Sequence, residues 1–438
     1  MFDPLYTADE MRAAEQGHDV EELMERAGRA VAEAVLRRYP GVRRVAAFCG
    51  KGANGGDGKI ALRILGEAGR ETGEQLDGAG VVIDALFGTG FHGEPRADAA
   101  RQIEQINAAD APVVAIDLPS GVDASSGEVA GAVVDADVTM TMHAPKLGLV
   151  VGPGRLHAGE VEVADIGLEP AETVHRLVTE EILRLVPRKT EPETKYTAGA
   201  VLVVGGAPGM TGAVCLAAEA AFRADAGYVA VAVPEASLPV VETRLLEAVK
   251  APLDRVDELA GRASALAVGP GLGRGDRERA LVRRLLAEVQ LPAVVDADAL
   301  FELEPDDWPA PRVLTPHTGE LGRLLGEEST WVEAHRLEAV RRAVDRYGCI
   351  VLLKGADTLV ASSGKGVLVS TAGGPELATA GTGDVLTGVI AAFLAKGMDA
   401  RIAAAAGAFA HGRAAQLAPH RVGLIASDVI EALPPALS

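Results

Sequence analysis

The sequence predicts an α/β protein built from two domains in tandem. Three observations predict it: a length of 438 residues, short apolar runs that each end in Gly or Asp, and a proline-containing, mixed-charge break at 187–197. A chain this long exceeds one ordinary core, so two domains are the natural expectation. Apolar strands that alternate with helical stretches and close on turn residues indicate a mostly parallel sheet covered by helices. The expected division is a first domain over 1–186, a linker over 187–197 and a second domain over 198–438.

The elements follow in order. The amphipathic stretch from Met11 to Tyr39 reads as one helix packed on the first domain or on another subunit. Val45–Phe48 predicts a strand, GKGANGGDG (50–58) the turn after it, and KIALRILGEAG (59–69) a helix. GVVIDALF (80–87) and PVVAIDLPSG (112–121) repeat strand and turn. Between Asp57 and Asp84 the chain is short. Only the polar GRETGEQLDGAG (69–80) stands where a further strand and its connection are expected, so that strand reads as lost. After the linker, AVLVVGGAPGMTGAV (200–214) predicts strand, glycine loop and helix. YVAVAVP (228–234), SALAVGPG (264–271), PAVVDAD (292–298), PRVLTPH (311–317) and CIVLLKG (349–355) predict strands with their turns. DVLTGVIAAFLAKG (384–397) and ARIAAAAGAFAHGRAAQLA (400–418) predict closing helices. In such a fold ligands bind beyond the carboxyl ends of the strands, where these Gly and Asp clusters would stand.

Composition narrows the classes. Hydrophobic residues make up 48% and charged residues 24%, as in soluble globular proteins. A formal net charge of -20 argues against nucleic acid or an anionic membrane as main partner. It leaves phosphate ligands open, because backbone amides bind them locally. Cys49, Cys215 and Cys349 show no CxxC spacing, which argues against a disulfide framework or structural zinc; each reads as a small buried hydrophobe. The acidic N-terminal segment carries no long apolar run, so neither a signal peptide nor a membrane span is expected, and the cytoplasm is the expected compartment. His18, His143, His157, His175, His335, His411 and His420 form no ligand spacing and read as solvated or core. Trp308 and Trp331 read as packing residues.

In the first half, Gly50-x-Gly52-x-x-Gly55 follows a strand, a weak fingerprint alone. It is not a P-loop, since Lys59 is followed by Ile60. Gly55, Gly56 and Gly58 either present amides to a phosphate at a helix N-terminus or make a plain tight turn. Asn54 and Asp57 lie in that turn, Asp84 ends the next strand, and Asp117 and Ser120 end a third. Oxygen-bearing side chains converging at one sheet edge suit a hard cation and general acid/base chemistry, although each Asp alone could be a cap. ANGGDG (53–58), DALFGTG (84–90) and DLPSG (117–121), in that order, resemble the NAD(P)H-hydrate epimerase domain, and Lys146 in MHAPKLG fits it too. The resemblance implies a Rossmann-like α/β/α domain. It implies substrate contacts by Asn54, Gly55, Gly56 and Asp57, by the loop Gly88, Thr89, Gly90, Phe91, His92, Gly93 and Glu94, and by Asp117. It implies K+ held by Asn54, Asp84 and Ser120, with Asp117 as the acid/base that interconverts the C6 epimers of hydrated NAD(P)H. The sequence departs from the family at Ala53, usually a further Asn, at His92, commonly a basic residue, and in the shortened segment.

In the second half, Gly381-Thr382-Gly383-Asp384 opens an apolar helix. Such a turn aims amides at an anion, and an Asp beside it can accept a proton from an attacking hydroxyl. The alternative is a helix capped by Thr382 or Asp384. KGADT (354–358) would bring Lys354 to phosphate, or is a β-turn with a surface lysine. TPHTGE (315–320) places His317 and Glu320 at a strand-to-helix junction, or is a capping box. GPGLG (269–273) lets a ligand approach the backbone closely. Together with VVGGAPGMTGA these motifs resemble the NAD(P)H-hydrate dehydratase domain of the ribokinase-like superfamily, over nearly all of 195–438. The resemblance implies that Ala213, Gly271, Gly273, His317 and Asp384 contact the hydrated cofactor, with Asp384 catalytic. Lys354, Gly355, Ala356, Asp357, Thr358 and Gly383 would contact the nucleotide. ADP is the implied phosphoryl donor, Mg2+ bridges its phosphates, and a homo-oligomer acting on the small molecules NADHX and NADPHX is implied.

The runner-up is a ribokinase-like kinase of a vitamin precursor, with a non-catalytic N-terminal ligand-binding domain. A nicotinamide-dependent oxidoreductase rests on GxGxxG alone and ranks third.

Overall fold

The computed structural model describes residues 2–192 and 194–438; Glu193, in the expected linker, lies outside them. The chain divides into two compact units. One comprises Pro4–His175 with Glu333–Leu337. The other comprises Arg176–Val332 and Glu338–Ser438, with the first residues of the chain. The division therefore falls some ten residues before the expected boundary at 186, because strand and core residues of 175–186 belong to the second sheet.

Strand β1 (Phe2–Leu5) opens the chain and lies at the edge of the C-terminal unit's sheet. The N-terminal unit then runs through α1 (Ala8–Glu15), α2 (Val20–Arg38), β2 (Arg44–Cys49), α3 (Ala53–Glu67), β3 (Glu71–Gly73), β4 (Val81–Ala85), α4 (Ala97–Asn107), β5 (Val113–Ile116), β6 (Val138–Met142), α5 (Gly154–His157) and β7 (Glu160–Ala164). Six strands form one parallel sheet, in the order β3-β2-β4-β5-β6-β7. Two expectations are corrected. The strand read as lost is present as β3, three residues paired beside β2. The single N-terminal helix is two, broken at Gly17, whose φ of 87° is left-handed, and restarted where Asp19 accepts from Glu21 N and Glu22 N.

The C-terminal unit contains β8 (His175–Val178), β9 (Ala200–Val204), α6 (Thr211–Arg223), β10 (Tyr228–Val233), α7 (Leu238–Arg244), β11 (Val249–Pro252), α8 (Val256–Ala260), β12 (Ala265–Val268), α9 (Asp276–Glu288), β13 (Ala293–Val295), β14 (Arg312–Leu314), α10 (Thr318–Leu325), α11 (Ser329–Ala334), α12 (Arg336–Tyr347), β15 (Ile350–Leu353), β16 (Thr358–Ala361), β17 (Leu368–Ser370), α13 (Thr382–Ala395), α14 (Ala400–Leu417) and α15 (Ala426–Ala436). Its sheet is ordered β1-β8-β17-β16-β15-β14-β13-β12-β9-β10-β11; from β8 to β11, among the described residues, only β16 runs antiparallel to its neighbours. Central strands are continuous apolar runs because helices cover both faces. α13 is polar only at Thr382, Asp384 and Thr387 in its first two turns and is buried nearly throughout, packed on α6 and α14.

Strand order reverses between β2 and β4 in the first sheet, and between β9 and β12 among the parallel strands of the second. At such a point adjacent connections leave on opposite faces and open a crevice at the carboxyl edge. The motifs after β2 and β4, and after β9 and β12, sit at these two places. Of the cysteines, Cys215 is buried as expected, whereas Cys49 and Cys349 are only partly so. Among the described residues, no helix is long and apolar enough to cross a membrane.

Candidate active sites

In the N-terminal unit the expected turn is already helix. Asn54, Gly55, Gly56 and Asp57 occupy the start of α3, and Gly56 N donates to Gly52 O at 3.2 Å, so its amide is not free for a phosphate. The glycines answer to packing instead. A Cβ on Gly55 would collide with the Gly50 carbonyl, and one on Gly58 would press into Ala85 and Cys49.

Around Phe87 the structure brings together Asn54, Asp84 and Ser120. Asn54 Nδ2 donates to Phe87 O at 2.8 Å. Ser120 Oγ accepts from Phe87 N at 2.9 Å and donates to Asp84 Oδ1 at 2.6 Å, while Ser120 N donates to Asp84 Oδ2 at 2.7 Å. Burial pushes the Asp84 carboxyl up to about 6, against the opposing pull of the Ser120 and Leu86 hydrogen bonds. Amide, hydroxyl, carbonyl and carboxylate oxygens form a donor set that suits a hard cation.

Asp117 follows β5 with φ at 66°, a left-handed conformation that Asp tolerates better than most residues. Its carboxylate pairs with Lys146 Nζ at 2.5 Å. Lys146 is fully buried and also donates to Thr141 Oγ1 at 3.0 Å and Met142 O at 2.7 Å. Thr89 N donates to Asp117 Oδ2 at 3.3 Å, tying the 88–94 loop to the acid. Gly88 lies against Asn54, and Phe91 stacks on Phe87 with ring centroids 4.7 Å apart. Gly90, His92, Gly93 and Glu94 are on the exposed rim of the loop.

Asp57 is buried and its Oδ1 has no hydrogen-bond partner. Burial, then the charges of Asp117 and Glu15, push its carboxyl up to about 8. The unit thus holds one carboxylate paired with a lysine and one carboxyl that stays protonated at neutral pH, a division that separates base from acid. Glu15, at the end of α1, is a residue that sequence reasoning missed. Solvent reaches it, yet desolvation and then Asp117 raise its carboxyl, with Lys146 opposing. Its helix read only as packing, and no local signal marked it.

In the C-terminal unit Gly381, with φ at 90°, turns the chain into α13. Thr382 Oγ1 donates to Leu377 O and Thr379 O, both at 2.8 Å, and no side chain caps the helix. The capping alternative for Thr382 or Asp384 is therefore not what the fold uses. Asp384 sits in the first turn, where Thr382 N donates to Thr379 O at 3.4 Å and the amides of Gly383 and Asp384 precede the first intrahelical bond, from Val385 N to Gly381 O. Burial, then the Asp296 carboxylate, push Asp384 up to about 7, with Lys354 opposing. Lys354 Nζ is 2.9 Å from Asp296 Oδ1 and 3.8 Å from Glu320 Oε2. It lies so near Gly383 that a Cβ there would meet it at 3.5 Å. Burial works against the Lys354 charge, and the carboxylates of Asp296, Glu320 and Asp384 more than offset it, so its pKa is raised.

Gly355, Ala356 and Asp357 form the turn between β15 and β16. Gly355 and Ala356 are exposed, Asp357 is buried, and Thr358 Oγ1 donates to Gly355 O at 2.9 Å. TPHTGE is a capping box: His317 Nδ1 accepts from Gly319 N at 3.0 Å, and Glu320 Oε2 accepts from His317 N at 2.9 Å. The His317 side chain is half exposed, and desolvation lowers its pKa. Gly271 packs on Met210 and Ala213, and Ala207 N donates to Gly271 O at 2.6 Å, which joins the loops after β9 and β12. Gly273 N donates to Asp298 Oδ2 at 3.0 Å.

Asp296 and Asp298 were also missed. They close PAVVDAD, and nothing local distinguishes a strand-end Asp that braces a site from one that caps a turn. His411, on α14, is buried; desolvation holds its imidazole down to about 4, with a Thr382 backbone bond opposing, so it is a neutral core histidine beside the site.

Comparisons with known proteins agree in both halves. A family model described as NAD(P)H-hydrate dehydratase matches residues 201–435. One described as YjeF-related protein N-terminus matches 20–73 and 69–148, two stretches that meet at β3, where the chain is short. The chain is 38% identical to the bifunctional NAD(P)H-hydrate repair enzyme of Moorella thermoacetica, over 94% of this chain and 91% of that protein. It is 32% identical to the bifunctional NAD(P)H-hydrate repair enzyme of Escherichia coli, over 98% and 93%. Among solved structures it is similar to the ADP/ATP-dependent NAD(P)H-hydrate dehydratase of Bacillus subtilis co-crystallized with ATP and Mg2+. That match has 28% identity and a TM-score of 0.55, covering 59% of this chain and 96% of that one.

Proposed function

Since the chain belongs to the family of bifunctional NAD(P)H-hydrate repair enzymes, we propose that it returns hydrated NADH and NADPH to use by two linked reactions. The N-terminal unit interconverts the R and S epimers at C6. The C-terminal unit dehydrates the S epimer at the expense of ADP. The observation that carries the reading is the gathering of Asp384, Lys354 and Gly383 at the uncapped head of α13.

In the dehydration, Asp384 accepts the proton of the C6 hydroxyl as its oxygen attacks the terminal phosphorus of ADP. AMP leaves, and the amides at the head of α13 with Lys354 stabilise the moving phosphoryl group. Hydroxide is a poor leaving group, whereas phosphate is a good one. The ring nitrogen then expels phosphate, loss of the C5 proton restores the dihydropyridine, and AMP and phosphate are released. Mg2+ bound to the donor's own phosphate oxygens would supply charge neutralisation there. The GPGLG turn with Ala213, and His317, are assigned to the hydrated cofactor, and Lys354 to Thr358 with Gly383 to the nucleotide.

In the epimerisation, Asp117 acts on the C6 hydroxyl, held by Lys146 and Thr89 N. Asn54 to Asp57 and the 88–94 loop hold the rest of the substrate. Asn54, Asp84 and Ser120 would hold K+, which supplies a fixed positive charge near the substrate. We place the activity in the cytoplasm, and in a homo-oligomer as the family resemblance implies.

The test mixes purified protein with both epimers of hydrated NADH, Mg2+, K+ and ADP or ATP, and follows regenerated NADH. Complete conversion faster than spontaneous epimerisation, lost to the S fraction alone in Asp117→Asn, supports both assignments. Prompt reaction of the S fraction alone in the wild type leaves the dehydratase and removes the epimerase. No regeneration with either nucleotide rejects the repair reading in favour of the vitamin-precursor kinase.

A further inference from the structure

After β13 the chain runs Asp296-Ala297-Asp298. Ala297 has φ at 51°, in the left-handed region that disfavours an alanine. Such strain persists where surrounding contacts over-determine it. Here the kink sends the two carboxylates to different motifs. Asp296, 2% exposed, accepts from Lys354 Nζ at 2.9 Å and from Thr387 Oγ1 at 2.7 Å. Thr387 stands three residues beyond Asp384 on α13, on the same side of the helix. Asp298 accepts from Gly273 N at 3.0 Å and from Arg274 Nε at 2.7 Å, both at the GPGLG turn.

A buried carboxylate with each oxygen satisfied is a rigid brace, because breaking either bond leaves a charge without a partner in a low-dielectric interior. We infer that Asp296 and Asp298 are paired positioning residues of the dehydratase site: Asp296 fixes Lys354 and the head of α13 for phosphoryl transfer, and Asp298 fixes the GPGLG turn that receives the hydrated ring. The inference rests on the dehydratase reading above. It assigns the two acids different kinetic signatures, since one holds groups that act on the moving phosphoryl and the other holds a binding surface.

Electrostatics adds a second signature. Asp384 is faced by Asp296 and Asp298 from the end of β13, by Glu320 from α10 and by Lys354 from the end of β15. The three carboxylates disfavour its ionised form and the lysine favours it. Removing the Asp296 charge therefore lets Asp384 ionise at lower pH.

The test uses the full chain carrying Asp296→Asn or Asp298→Asn, with the S epimer of hydrated NADH, ADP and Mg2+. Asp296→Asn is expected to lower kcat about 100-fold, the scale of an ångström-sized misplacement, with KM changed less than about threefold. The acid limb of its kcat profile moves to lower pH. Asp298→Asn is expected to raise KM about tenfold with kcat within about threefold. Losses in the same parameter from both, or wild-type behaviour from either, overturn the inference. If Asp296→Asn does not fold, Thr387→Val keeps the charge and removes one brace. It is expected to lower kcat about tenfold with the acid limb unmoved, and a wild-type kcat overturns the inference. Titration of the Asp384 carboxyl by carbon NMR decides without turnover: a midpoint unmoved in Asp296→Asn overturns the inference. A wild type that regenerates no NADH rejects the repair reading, and that titration still judges the brace.

Discussion

Two acids carry the residue-scale predictions. Asp384 must be ionised to accept a proton, and burial holds its carboxyl near 7. The dehydratase kcat should therefore rise with pH through about 7 and fall below it, and Asp384→Asn should lower kcat by about 1000-fold. A pH–rate profile checks both; a rate flat from pH 5 to 9 would remove Asp384 from the chemistry. Asp57 bears on stability. Its folded pKa, about 8, lies above the ordinary 3.8, so the folded chain binds more protons than the unfolded one between those values. Stability from this group is full below pH 3.8 and is lost as pH rises through the window. Asp57→Asn should then raise Tm by several degrees at pH 8 and hardly at all near pH 4, as calorimetry would show.

Elements bring these side chains together by close backbone approach. α13 rests on α6 at Gly388, where a Cβ would collide with the Ala217 carbonyl oxygen. Gly388→Ala should destabilise the C-terminal unit by about 1–3 kcal/mol, measured by urea unfolding, and disturb Asp384 one turn away. The same scale explains what sequence could tell. Strands β2, β4, β5, β9, β10 and β12–β15 were legible because buried parallel strands are apolar runs closed by Gly or Asp. β3 was not, because Glu71, Thr72 and Gly73 carry no apolar signal and its order comes from pairing with β2. The break between α1 and α2 was written as Gly17 and Asp19, a helix stop and a cap, but the amphipathic period ran through it. Site residues on glycine-marked turns were found. Asp296, Asp298 and Glu15 were not, because their partners lie 24 or more residues away in sequence and only the fold brings them close.

For the whole molecule, the boundary matters. Strand β8 pairs with β17, and Val178, Ile182, Leu183 and Val186 belong to the core of the C-terminal unit. A fragment of residues 174–438 should fold and retain ADP-dependent dehydration without epimerase activity. A fragment of 198–438 should melt at least about 5 °C lower, since it loses a sheet strand and four core side chains. Circular dichroism on the two fragments checks this; equal melting temperatures would put the boundary back at the expected linker. The formal charge of -20 leaves room for an anion at the head of α13, where first-turn amides and Lys354 stand close together and the surface field matters less.

Ala297 leaves one mark that a laboratory selection would expose. Glycine adopts its left-handed backbone without strain, so Ala297→Gly relieves about 0.5–1 kcal/mol even after glycine's larger loss of chain freedom. A screen for heat survival should pick this variant early, whereas a screen for growth under slow cofactor damage should discard it, because a loosened hinge lets the two neighbouring acids wander from their targets. The rank of Ala297→Gly in the two screens would show whether the chain trades endurance for aim at this position.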